Sequence, residues 1–275
     1  MKKIIRQIVS LTFLTFSLWQ SVWAQFTENE VNTPGGIAVI NLNHSTKPEA
    51  FYENKQVMVI GNPGNWQAII GLPLNSDIGT HELKVGNTTK TESYQFLVSK
   101  KQYAEQYITL ANNEMVSPSP ANLERIQSES IIINKAKGAW SESDKVSLVF
   151  DLPVPGNITS PFGLRRFFNK QPRNPHTGID LSASEGTPIQ TAAPGHVINT
   201  GEYFFNGKTV FIEHGQGLIT MYCHMSKIIV IQGQRVSRGE TIGHVGSTGR
   251  VTAPHLHWGV IMNTVSIDPS IFIKE

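Results

Sequence analysis

Pro254-His255-Leu256-His257-Trp258-Gly259-Val260-Ile261 decides how the C-terminal half of this chain is read. From His257 to Ile261 it is a strand-like run, and on a strand residues i and i+2 share a face. His255 and His257 can then point into one site while Leu256 turns the other way. Such a pair is common and settles nothing alone. It gains meaning from an earlier stretch, His176-Thr177-Gly178-Ile179-Asp180. There Ile179 to Leu181 reads as a short strand entered through Gly178, with His176 in the loop before it. Together the two stretches offer three potential ligands for one borderline metal, plus a spare histidine. Imidazole nitrogen and carboxylate oxygen both suit Zn²⁺, and three protein ligands with an open fourth position describe a catalytic site. The bare chemistry points to metal-assisted hydrolysis.

Working outward, the chain from Leu148 onward is dense in glycine and short β-runs, at 187–191, 195–198, 209–213, 218–224, 241–243 and 257–261. This predicts an almost helix-free β domain of antiparallel strands. Seven of the nine histidines lie in it, between 176 and 257, which is where function is sought. In Tyr222-Cys223-His224, alternation places Tyr222 and His224 on one face and Cys223 on the other, so Cys223 reads as a small buried hydrophobe. His196, His214 and His244, and His44 and His81 further upstream, read as surface or locally hydrogen-bonded residues. Trp258 is expected to face away from the metal into the core.

Residues 33–100 carry strand-like runs at 37–42, 56–60, 67–70, 81–85 and 94–98, separated by turn clusters at 61–65 and 74–79. Short strands at this spacing predict a small sandwich, to which 103–110 adds one more strand. Ser117-Pro118-Ser119-Pro120 is a break, and Ser119 before Pro120 is an N-cap and N1 pair. A connecting helix follows at 120–137, with Leu123, Ile126 and Ile133 on one face. The expected fold class is mainly β: an N-terminal small β-sandwich module, a connecting helix and a C-terminal antiparallel-sheet domain. The expected boundaries are 1–24 for a leader, 25–110 for the accessory module, 111–144 for the linker and 145–275 for the catalytic domain.

Composition agrees with two globular domains in 275 residues, 39% hydrophobic and 16% charged. Lys2, Lys3 and Arg6, the apolar stretch from Ile8 to Trp19 and then Val22-Trp23-Ala24 read as a secretory signal cleaved after Ala24. The apolar run is short for a spanning helix and is interrupted by Ser, Thr and Gln, so no stable membrane anchor is expected after cleavage. Removing it turns the formal charge of +2 into −1, with 20 basic against 21 acidic residues. A nearly neutral chain has no electrostatic footprint for nucleic acid. With Cys223 as the single cysteine, no internal disulfide can form.

In order, His176-x-x-x-Asp180, Tyr222-x-His224, Ser247-Thr248-Gly249 and Pro254 to His257 resemble the catalytic domain of lysostaphin-type (LytM-like) zinc metallopeptidases. These are cell-wall endopeptidases that cut peptide bonds in peptidoglycan. The likeness covers 150–270, with Phe162-Gly163 at its start and Asp268-Pro269 near its end. Thr33-Pro34-Gly35-Gly36 resembles part of the accessory domain of exported Gram-negative members. The resemblance implies one Zn²⁺ per chain held by His176, Asp180 and His257, with His224 and His255 as non-ligand catalytic histidines. It implies peptidoglycan as substrate, through a D-alanyl to meso-diaminopimelate bond if the wall is Gram-negative, and a place in the periplasm or cell envelope. It leaves open which histidine moves which proton.

No general-base motif of the H-E-x-x-H kind is present, which favours the histidines. Arg165, Arg166, Phe167 and Phe168 precede the metal loop. Of these, Arg165 and Phe168 are the substrate-binding candidates, an arginine being suited to a stem-peptide carboxylate. Two other readings remain at this level. One is a non-catalytic wall-binding protein or amidase activator that keeps a metal site. The other is a non-haem Fe(II) centre, which also uses two His and a carboxylate. The sequence names no protein partner.

Overall fold

The computed structural model describes residues 32–86, 91–143 and 145–273; the expected leader lies outside them. In the N-terminal module a three-stranded sheet (Ile37–Leu42, Asn65–Gly71 and Met58–Asn62) faces a four-stranded one (Lys55–Gln56, Ala50–Tyr52, Gly79–Gly86 and Thr91–Val98). Ala38, Leu42, Ala68, Ile70, Leu83 and Val98 fill the space between them. The alternate residues of the first sheet, Ile37, Met58 and Ile69, belong instead to the core of the C-terminal domain. A strand buried on both faces needs an uninterrupted apolar run, which explains why Ile37-Ala38-Val39-Ile40 does not alternate with polar residues. Asn263 seals this junction. Its side chain accepts from Gly71 N at 2.6 Å and donates to Gly71 O at 3.0 Å.

The C-terminal domain is built on a ten-stranded sheet. Its main path runs Arg235–Val236, Gly195–Tyr203, Gly207–Glu213, Ile219–Ile228, Leu256–Met262, Ile179–Leu181 and Ile158–Ser160, antiparallel at every step. On one face Tyr222, Leu256, Trp258 and Val260 join the main core with Phe150 and Phe272. On the other, Phe211, Ile219, Met221, Cys223 and Ile261 are covered by the helix Pro120–Lys137 through Ala136 and Ile133. Ser119 stands at the N-cap position without a side-chain cap bond, and Pro120 opens the helix. The expected apolar stripe is narrower than its spacing suggests, since Leu123 is 45% exposed and only Ile133 of the three packs on this cluster.

The strand expected within 103–110 forms at Glu105–Ile108, but it does not extend the module. It pairs in parallel with Arg165–Phe168, beside the metal loop. Tyr103 anchors this crossing. Its hydroxyl donates to Pro34 O at 2.7 Å and its ring meets Phe162 edge-on. Gly163, at φ +82°, would place a Cβ 2.0 Å from the Tyr103 ring, so this approach requires glycine.

Candidate metal centre and active-site groove

Strand register assembles the centre. Asp180 stands directly opposite His257 in the antiparallel pair Ile179–Leu181 with Leu256–Met262. Cross-strand partners project to the same face about 5 Å apart at Cβ. His176 reaches the same point from the preceding loop. His176 Nε2 lies 2.9 Å from both Asp180 Oδ1 and His257 Nδ1, and His257 Nδ1 lies 2.8 Å from Asp180 Oδ1. Gly178 is essential to this closeness: a Cβ there would sit 2.4 Å from Trp258 O and 2.8 Å from His257 Nε2.

The donor set fits a metal ion. His176 Nδ1 is 2.7 Å from the Pro161 carbonyl, which can only accept, so Nδ1 donates there and Nε2 is the nitrogen turned to the cluster. Burial pushes His257 down to about 4, with His176 and Arg166 adding to the effect against the pull of Asp180, so its ring is neutral near pH 7. Burial alone would raise Asp180, but the facing His176 and His257 hold its carboxyl well below the usual carboxylate range. Two imidazole nitrogens and a carboxylate oxygen thus meet within 2.9 Å of one another. A cation is what such a cluster lacks, and neutral imidazoles beside an ionised carboxylate are the ligand forms a divalent metal requires. Among the described residues these three are the group able to hold one.

The other carboxylate oxygen, Asp180 Oδ2, accepts from Arg166 at 2.9 Å. Arg166 is itself held by Gln106 of the crossing strand, whose Oε1 accepts from Arg166 Nε at 2.9 Å. Outer partners of this kind fix ligand orientation. Arg166→Gln should therefore weaken metal affinity about 10- to 100-fold, as read by competition with a chromogenic chelator. An unchanged affinity would show that Asp180 needs no such support.

His224 and His255 lie next to the metal cluster, their rings 5.0 Å apart. His224 Nδ1 donates to Thr248 O at 2.8 Å, and His255 Nδ1 donates to Ala253 O at 2.8 Å. Each ring therefore keeps Nε2 as a free acceptor, and His255 Nε2 lies 3.8 Å from Asp180 Oδ1. Burial, then His257 and His255, push His224 down to about 3. The shared face expected for Tyr222 and His224 is not found. A bulge opposite Lys208 and Val210, with His224 at φ +63°, breaks the alternation. Tyr222 stays in the core and Met225 takes the next inward place, while His224 swings out to the cavity. Cys223 lies buried beneath the helix, its thiol pushed up to about 12 by burial.

A cavity of about 390 Å³ runs past Asp180, His224 and His255, bounded also by Arg166, Phe168, Arg250 and Gln106. Phe168 lines it as expected. Arg165 does not; it is 61% exposed at the side chain and pairs with Glu105 at 3.1 Å. Sequence reading missed Gln106 and Arg250. The one signal for Arg250 was its place directly after Ser247-Thr248-Gly249, the loop that also holds His224.

The profile of Peptidase family M23 matches residues 174–269, and that of the Peptidase family M23 N-terminal domain matches 30–101. The fold is similar to a crystal structure assigned to peptidase M23 from Pseudomonas aeruginosa, with a TM-score of 0.74 and 40% identity, covering 88% of this chain and 94% of that one. The chain belongs to peptidase family M23. Within this M23 chain, 106 residues are 45% identical to the peptidoglycan DD-endopeptidase ShyA of Vibrio cholerae, covering 38% of this chain and 25% of that protein. A further 42% identity over 112 residues links it to the DD-carboxypeptidase/endopeptidase Mpg of Neisseria meningitidis, covering 41% of this chain and 26% of that protein. The M23 chain thus spans about a quarter of the length of these curated relatives. No helix among its described residues is long and apolar enough to cross a membrane.

Proposed function

We propose that this M23 chain is a zinc-dependent endopeptidase, holding one zinc, that hydrolyses peptide bonds in peptidoglycan cross-links or stem peptides. The bond we assign is D-alanyl to meso-diaminopimelate, since the relatives named above are DD-endopeptidases. The place of action is the cell envelope, reached by export through the N-terminal leader. The observation that supports this reading is the convergence of three metal donors, His176, Asp180 and His257, at a cavity that Asp180 lines together with two further imidazoles, His224 and His255.

His176 Nε2, Asp180 Oδ1 and His257 Nδ1 are the atoms that would hold the ion. Zinc bound there supplies Lewis-acid polarisation of a carbonyl and acidification of a water. The remaining work falls to the two histidines. His255 is partly exposed, so its Nε2 can take a proton from the attacking water and deliver it to the amine that leaves as the C–N bond breaks. His224, held neutral and pinned by Thr248, orients water or substrate through Nε2. The Ser247-Thr248-Gly249 loop thereby positions a catalytic ring, and Thr248 is itself tied down by donating to Met225 O at 2.8 Å.

The reading is tested by incubating residues 25–275 with zinc and purified cross-linked sacculi, then identifying released muropeptides by mass spectrometry. Conversion of cross-linked dimers to monomers ending in D-alanine is expected. Stable zinc binding without any cleavage would instead make the protein a wall-binding regulator.

A further inference from the structure

Arg250 is the one cation lining the cavity that has no use in the chemistry above. Its guanidinium lies against the rings of Phe168 and Phe205, 4.4 and 4.3 Å from the two centroids. Contacts of this kind leave the in-plane N–H edge for polar partners. One of its five donors reaches Met115 O at 3.4 Å, and its backbone N donates to Phe205 O at 2.9 Å. Among the described residues no carboxylate lies within ion-pair distance of it. Burial, and then the like charges of Arg166 and Arg173, bring Arg250 down to about 10. Arg166 has its counter-ion in Asp180, and Arg173 binds the Pro172 and Val116 carbonyls. A half-buried guanidinium kept rigid beside two like charges is costly without an anion.

We propose that Arg250 anchors a free carboxylate of the peptide substrate, fixing the chain in the cavity so that a neighbouring amide lies at the metal centre. This rests on the endopeptidase reading and adds a specificity determinant to it. The shape of the site supports a carboxylate. A planar fork held against two rings offers two parallel N–H donors at little loss of side-chain entropy, which matches a carboxylate better than a lysine would. The cavity connects Arg250 to His255 and Asp180, so an anchored peptide need not cross a wall to reach them. Two carboxylates on the scissile side of a diaminopimelate cross-link meet the description, that of the terminal D-alanine and the free one of diaminopimelate itself, both closer to the cut amide than the free carboxylate of the stem glutamate.

The test is equilibrium binding to the zinc-loaded chain in a His255→Ala background, with a synthetic cross-linked peptide and two analogues. One analogue carries a carboxamide at the terminal D-alanine, the other at diaminopimelate. One of the two should bind about tenfold or more weakly than the parent, the size of a lost charge-assisted hydrogen bond, which identifies the carboxylate. In Arg250→Gln the ratio should fall to within about twofold of unity. Arg250→Lys keeps the charge and loses the fork, so it should retain part of the preference, and it decides the matter if the glutamine variant melts early. A ratio that survives in Arg250→Gln, or no discrimination in the parent protein, overturns the anchor. Cleavage by the unmutated chain with Arg250-independent binding overturns the anchor alone. Arg250-dependent binding without cleavage overturns the enzyme and leaves the anchor standing.

Discussion

His257→Ala will yield a folded protein that no longer retains zinc, and its hydrolysis of peptidoglycan will fall to background. His257 supplies one of three donors and sits opposite Asp180 in the strand register, so its removal leaves His176 and Asp180 as a pair. The strand Leu256–Met262 that carries it is held by pairing with Ile219–Ile228 and Ile179–Leu181 and by the buried Leu256, Trp258 and Val260. The strand therefore keeps its place without the imidazole, at some cost in stability from truncating a buried ring. Two donors rarely hold zinc against dialysis, because sites that retain it use three or four protein ligands. Elemental analysis after dialysis reads the outcome, with thermal melting as the check on folding. Zinc retained in the variant would remove His257 from the ligand set.

His255→Ala gives the opposite pattern: zinc content nearly unchanged and turnover reduced about 10²- to 10⁴-fold, the usual worth of a positioned acid–base group. The imidazole donates to Ala253 O and its Nε2 stands 3.8 Å from Asp180 Oδ1, outside the group of three donors, so removing it leaves the ligand set whole. If it acts on the transition state alone, kcat should fall with KM nearly constant. His224→Ala is expected to show the same separation of metal content from rate. Loss of zinc in both variants would mean that ligand and catalyst have been exchanged in this account.

The residues at the metal were legible because their chemistry forces a pattern on the sequence. His176 and Asp180 flank a glycine that had to be small, and His255 and His257 straddle a buried leucine. What was not legible came together through pairing distant in sequence. Gln106 reaches Arg166 because Glu105–Ile108 crosses over to lie parallel to Arg165–Phe168, and no local feature of either segment announces that partnership. The choice between Arg165 and Arg166 turns on strand facing, which depends on the same pairing. His224 was found by its motif, yet its route into the site is a bulge with a left-handed backbone that alternation cannot anticipate. Arg250 needed Phe168 and Phe205, 82 and 45 residues upstream, to turn a loop cation into a held one. In the module the longer strands were legible, while the short Ala50–Tyr52 was not. That one of its sheets is buried on both sides shows only once the catalytic core is packed against it.

The central claim is that one zinc at His176, Asp180 and His257 drives cleavage of peptidoglycan cross-links. Its most direct test is a zinc titration of the chelator-stripped chain, with loss of cross-linked muropeptide dimers as the readout. No cleavage is expected in the stripped protein, with activity rising linearly to a plateau at one equivalent of zinc. Cleavage that persists after stripping, or that never appears with zinc bound, would contradict it.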